Sequence, residues 1–112
     1  MISAIIYAII DDGYFYIGST TQTLEKRLIN HITCSKNKKY KLNLYKYINE
    51  KRNSNWHDII IIPLETIECE TKQELEKKEY EYIKIHIKDP YCLNTIKSHT
   101  QKFAIIRSKI KK

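Results

Sequence analysis

A chain of 112 residues folds as one domain, long enough to bury a core but too short for a separate targeting module. Its formal charge of +7 favours a polyanionic partner such as nucleic acid, although the lysine excess also follows from a composition crowded with Ile, Lys, Asn and Tyr. Three scattered cysteines, Cys34, Cys69 and Cys92, exclude a disulfide framework or a CxxC site, and no apolar run approaches the roughly 20 residues of a membrane span.

In chain order, the apolar run Ser3 to Ile10, the turn Asp11-Asp12-Gly13 and the aromatic run Tyr14 to Gly18 predict a β-hairpin. Threonines at 20, 21 and 23 offer N-caps to a helix from about Gln22 to Thr33, carried by Leu24, Leu28 and Ile32. The segment Ser35 to Lys41 is a lysine-rich loop. Leu42, Tyr45 and Ile48 mark a second, shorter helix that stops before Asn53-Ser54-Asn55. The run Ile59 to Ile62 suits a strand buried on both faces, with Pro63 introducing a bulge or an unpaired amide. Thr71 and Glu74 form a capping box for a third helix reaching about Ile87, which Asp89-Pro90 ends. A short segment to Ile96 follows, and the basic tail from 97 to 112, with the apolar patch Phe103 to Ile106, is expected to pack on the domain formed by residues 1 to 96.

If the turn is the two-residue Asp12-Gly13, Tyr7 lies opposite Gly18 and Tyr16 is diagonal to it on the same face. The two tyrosine backbones are then within roughly 7–8 Å, and the glycine leaves open space for a substrate. A one-residue change of loop length would put the phenols on opposite faces. Nine tyrosines in the chain also allow a purely structural reading. Arg27 and His31, one helical turn apart, project together. They could bind phosphate and take a proton, or they could line a solvated face. On the third helix Leu75, Tyr82, Ile83 and His86 share an arc with Glu79 at its middle, while Glu74 and Glu81 point outward. A carboxylate so placed requires a partner, either a salt bridge to Arg27 or a metal.

Taken in order, Ile5-Ile6-Tyr7, Tyr16-Ile17-Gly18-Ser19-Thr20, Arg27 with His31, Glu79 with Ile83, and Leu93-Asn94 resemble the GIY-YIG nuclease superfamily over about residues 3 to 96. Ile5 stands where the family name has glycine. The resemblance implies an α+β fold, a small three-stranded antiparallel sheet flanked by helices, and divalent-metal-dependent hydrolysis of phosphodiester bonds in DNA. Glu79 would be the sole protein ligand to Mg²⁺ or Mn²⁺, and Tyr7 or Tyr16 would help deprotonate the attacking water. Arg27 would stabilise the phosphorane-like charge, His31 would orient or relay a proton, and Gly18 and Asn94 would support the site.

The linkers, DNA-binding domains and recognition insertions of other family members do not fit in this length, so a freestanding nuclease is expected, with Lys36, Lys38, Lys39 and the tail lysines on the DNA backbone. The alternative is a non-catalytic nucleic-acid-binding module or a nicking subunit that needs a protein partner, with Phe103 to Ile106 as a docking element. A homodimer and an RNA substrate stay open. The reduced cysteines and missing secretory leader point to an intracellular protein. The Ile, Lys and Asn bias suggests an AT-rich genome of a virus, phage or mobile element.

Overall fold

The computed structural model describes residues 1–94. The basic tail and its apolar patch lie outside the described residues. Strands Ile2–Asp11 (β1) and Tyr14–Thr20 (β2) form an antiparallel hairpin. Asp12 and Gly13 both have positive φ, 49° and 84°, as a turn matched to strand twist requires. The register runs from Asp11↔Tyr14 through Tyr7↔Gly18 to Ile5↔Thr20, so the turn chemistry fixes which side chains face each other.

Ile60–Cys69 (β3) pairs antiparallel with the other side of β1, giving the order β2-β1-β3. This corrects the expectation of a doubly buried Ile-rich strand. The central strand is β1, where Ile6 and Tyr7 are fully buried, whereas β3 is an edge and Ile60 is 57 % exposed. β-branched residues favour the pleated backbone wherever it lies, and so do not report burial by themselves. Pro63 does mark an irregularity: Ile6 pairs with Glu65 and Tyr7 with Pro63, leaving Leu64 as the extra residue of a bulge.

Three helices cover the sheet: Leu24–Ser35 (α1), Asn43–Lys51 (α2) and Lys72–His86 (α3). α1 begins two residues later than the sequence pattern suggests because Thr23 is the cap itself, its hydroxyl accepting from the Lys26 amide at 3.2 Å. Thr71 caps α3 in the same way, and the Glu74 carboxylate reaches back to the Glu70 amide at 2.8 Å. Tyr7, Ile9, Tyr14 and Tyr16 on one face of the sheet pack against Leu24 and Leu28 of α1 and Leu44, Tyr45 and Ile48 of α2. Ala4, Ile6 and Ile17 on the other face pack against Leu75 and Ile83 of α3. The fold is thus α+β with helices on both faces. Arg52 at 2.9 Å and Tyr47 at 2.6 Å both hold Asp11, tying the hairpin turn to α2.

After α3 the chain turns at Asp89 and runs beside the outer edge of β2. Phe15 donates its amide to the Tyr91 carbonyl at 3.0 Å and accepts from the Leu93 amide at 2.8 Å. Asn94 then replaces backbone with side chain: its amide oxygen accepts from the Ile17 N–H and its nitrogen donates to the Ile17 carbonyl, both at 2.7 Å. The outward-facing groups of β2 are therefore satisfied at Phe15 and Ile17 before the strand reaches Ser19.

Candidate active site

The hairpin register sets the first part of the site. Tyr7 is fully buried, and its ring lies across Gly18 so closely that a Cβ added there would come within 2.6 Å of the tyrosine Cζ. The space opposite Tyr7 is therefore filled by its own phenol, which corrects the expectation that glycine leaves it open for substrate. Gly18 is required because no side chain fits beneath the ring. Gly18→Ala is expected to cost about 1–3 kcal/mol through this overpacking. Thermal unfolding would show it as a lowered Tm.

α1 supplies the next groups. Leu24 and Leu28 turn one face of the helix into the core, and the adjoining positions Arg27 and His31 follow them inward. His31 is fully buried, which removes the reading in which both residues line a solvated face. The Arg27 Nε donates to the Tyr7 hydroxyl at 3.0 Å, and that hydroxyl is 2.7 Å from His31 Nε2. The other imidazole nitrogen, Nδ1, is 2.8 Å from the Tyr45 hydroxyl on α2. Tyr16 meets the same imidazole edge-on with ring centroids 5.5 Å apart. Burial pushes the Tyr7 phenol above its ordinary value of 10.0 while Arg27 pulls it down, and burial raises Tyr16 as well.

Burial, with the Arg27 charge behind it, lowers His31 from 6.5 to about 4, so the ring is neutral at pH 7. A depressed folded-state value means that unfolding takes up a proton in acid. Stability from this group is complete above pH 6.5 and is lost as the pH falls toward 4. Melting temperatures followed across that window should decline in the wild type and decline less steeply in His31→Gln.

The remaining group comes from the opposite side of the sheet. Glu79 sits in the middle of the buried arc of α3 between Leu75 and Ile83. Its carboxylate faces the hydroxyl and amide of Ser19, the next outward-facing position of β2, and those contacts offset part of the upward shift that burial imposes on its pKa. It lines a cleft of about 410 Å³ together with Ser19, Thr20, Thr21, Gln22, Arg27, Lys72 and Glu76. Arg27 is near enough to lower its pKa, yet the ion pairs among the described residues are Arg52–Asp11, His57–Asp58 and Lys78–Glu65. The alternative of a structural Arg27–Glu79 salt bridge therefore does not hold. His86, placed on the same arc by periodicity, is exposed at the helix end and touches Phe15 edge-on.

Two motif strands side by side, an Arg–Tyr–His cluster beneath one wall of a cleft and a carboxylate on the other reproduce the order and spacing read from the sequence. The family model of the GIY-YIG catalytic domain matches residues 3–91. The chain belongs to the GIY-YIG family. Comparison with curated proteins and with solved structures gives no significant match. GIY-YIG proteins form a nuclease family, so the substrate class is nucleic acid.

Within this GIY-YIG domain, Tyr7, Tyr16, Gly18, Arg27 and His31 converge on one face of the hairpin, and Glu79 approaches around the β2 edge through Ser19. Asn94 braces the strand carrying the second motif through its paired bonds to Ile17. Lys36, Lys38 and Lys39 are exposed beyond the end of α1 and do not line the cleft. Lys72, which the sequence reading passed over, does line it. Tyr45 was also missed as a site residue; its helical spacing identified it only as core. None of the described helices is long and apolar enough to cross a membrane.

Proposed function

We propose that this GIY-YIG chain is an endonuclease that hydrolyses phosphodiester bonds in DNA and uses Mg²⁺ or Mn²⁺. The observation that carries the reading is Glu79, a half-buried carboxylate without an ion-pair partner, sharing a cleft with Arg27, whose Nε is committed to Tyr7. A carboxylate held in this way loses hydration and is compensated by a cation. Among the described residues no three acidic, histidine or cysteine side chains cluster, so a cation would rest on Glu79 with oxygen neighbours such as Ser19. That donor set fits a hard ion that keeps most of its waters. Such an ion would supply positive charge to the scissile phosphate and the leaving oxygen.

The chain's own groups divide the remaining work. Arg27 bonds Tyr7 through Nε alone, which leaves its two terminal nitrogens to grip a phosphate and hold developing charge. A phosphate held there lies next to the Tyr7 oxygen. In its deprotonated form, which the Arg27 charge favours, that oxygen takes the proton of the attacking water. Tyr7 rather than Tyr16 is the base in this reading, because it is the phenol bonded to both Arg27 and His31. Lys72 at the cleft and Lys36, Lys38 and Lys39 beyond it hold flanking backbone.

The test is incubation of purified protein with supercoiled plasmid, branched DNA and structured RNA in Mg²⁺ or Mn²⁺. Nicking or linearisation of DNA that EDTA abolishes is expected. Salt-dependent binding with every substrate left intact would establish a non-catalytic module on this fold.

A further inference from the structure

His31 is a sealed, neutral imidazole whose two nitrogens both meet a tyrosine hydroxyl, Tyr7 at Nε2 and Tyr45 at Nδ1. A neutral ring has one N–H, so it donates at one end and accepts at the other. Which end donates follows from counting protons. The Tyr7 oxygen already accepts from Arg27, and a guanidinium can only donate, so the acceptor within reach of the Tyr7 proton is His31 Nε2. The proton of Tyr45 has a second neighbour to turn to, because the Cys34 side chain on α1 stands beside its hydroxyl and favours the protonated phenol. A protonated Nε2 would strand the Tyr7 proton in a fully buried place. A protonated Nδ1 gives every donor an acceptor, and an unsatisfied buried donor costs more than an ordinary bond gains.

We propose that Tyr45 is a positioning residue that holds His31 in its Nδ1–H tautomer and so presents a bare Nε2 to Tyr7. The hydrogen bonds then run in one direction, from Arg27 Nε–H to Tyr7, from Tyr7 to His31, from His31 to Tyr45 and from Tyr45 to Cys34. α2 is thereby part of the site although it contributes nothing to the cleft wall. Tyr45 is 4 % exposed, in the core stripe with Leu44 and Ile48, so its ring is fixed by packing and its hydroxyl by the imidazole. The inference rests on the nuclease reading only for its effect on rate. The tautomer is a property of the folded chain without substrate.

The test is nitrogen NMR of protein labelled at the histidine ring nitrogens, with the His31 signals assigned from a His31→Gln sample. In the wild type, Nδ1 should carry the proton and Nε2 should show the shift of an unprotonated nitrogen. In Tyr45→Phe, where Nδ1–H loses its acceptor, the Nε2–H form should become measurably populated. With DNA and Mg²⁺, the same variant should lose about 10–100-fold in kcat with KM nearly unchanged, as when the partner of a tautomer-fixed histidine is removed. A wild-type Nε2–H tautomer overturns the proposal whether or not any variant folds, and so does an unchanged tautomer in folded Tyr45→Phe. An Nδ1–H tautomer in a wild type that cuts no nucleic acid leaves the positioning role standing and removes the nuclease reading alone.

Discussion

Glu79→Gln is expected to reduce DNA cleavage on the order of 10³-fold while leaving the protein at least as stable as the wild type. The two effects share one cause. The Glu79 carboxylate is half-buried without an ion pair, and burial raises its pKa above the ordinary 4.5 against the opposing pull of Ser19 and Arg27. With a folded-state value above the unfolded one, any stability the group contributes is present in acid and is lost as the pH rises through the folded value. At neutral pH the carboxylate is therefore a mild liability that glutamine removes, with an expected gain of up to about 1 kcal/mol. Melting curves of the two proteins should converge below the ordinary carboxylate range and separate above it. Mn²⁺ should raise the Tm of the wild type by mass action and leave the glutamine variant unmoved. A destabilised Glu79→Gln, or one that still cuts, would show that the carboxylate is a structural element of α3.

Tyr7→Phe comes second in size, with an expected loss of about 10²–10⁴-fold in kcat. Removing this hydroxyl leaves the Arg27 Nε and His31 Nε2 without their shared partner, so a stability cost of about 1–3 kcal/mol should accompany the kinetic loss. Tyr16→Phe provides the comparison, since its ring packs on His31 without a bond to Arg27. It should lose far less rate. Because burial holds the Tyr7 phenol above 10.0, the wild-type rate should climb with pH above neutrality, and Tyr7→Phe should flatten that climb. If Tyr16→Phe proves the more damaging, the base assignment reverses.

The sequence revealed the hairpin and its pairing because Asp12-Gly13 is a local signal, and the pairing then determines that Tyr7 opposes Gly18. Glu79 was legible for a similar reason, since helical periodicity selects it from its acidic neighbours without reference to the rest of the chain. What stayed hidden depends on contacts between distant segments. Whether the isoleucines of β3 lie inside or at an edge is decided by strand order, which periodicity does not encode. That Tyr45 meets His31 depends on how α2 packs against α1, and Lys72 enters the cleft only because α3 docks beside β2. Gly18 was recognised as necessary for the wrong reason: small residues opposite aromatics suggest a vacancy, whereas here the aromatic itself lies over the glycine.

The closure of the β2 edge also bears on the order in which the protein is expected to mature. The hairpin is made of near neighbours and can form within microseconds, but the groups that complete its outer edge come from the far end of the domain, as in the Ile17–Asn94 pair 77 residues apart. Glu79, likewise remote, reaches Ser19 only when α3 has docked. Until then the phenols carried by the hairpin stand without their carboxylate. On the nuclease reading, a working site is expected only once these last long-range contacts have closed.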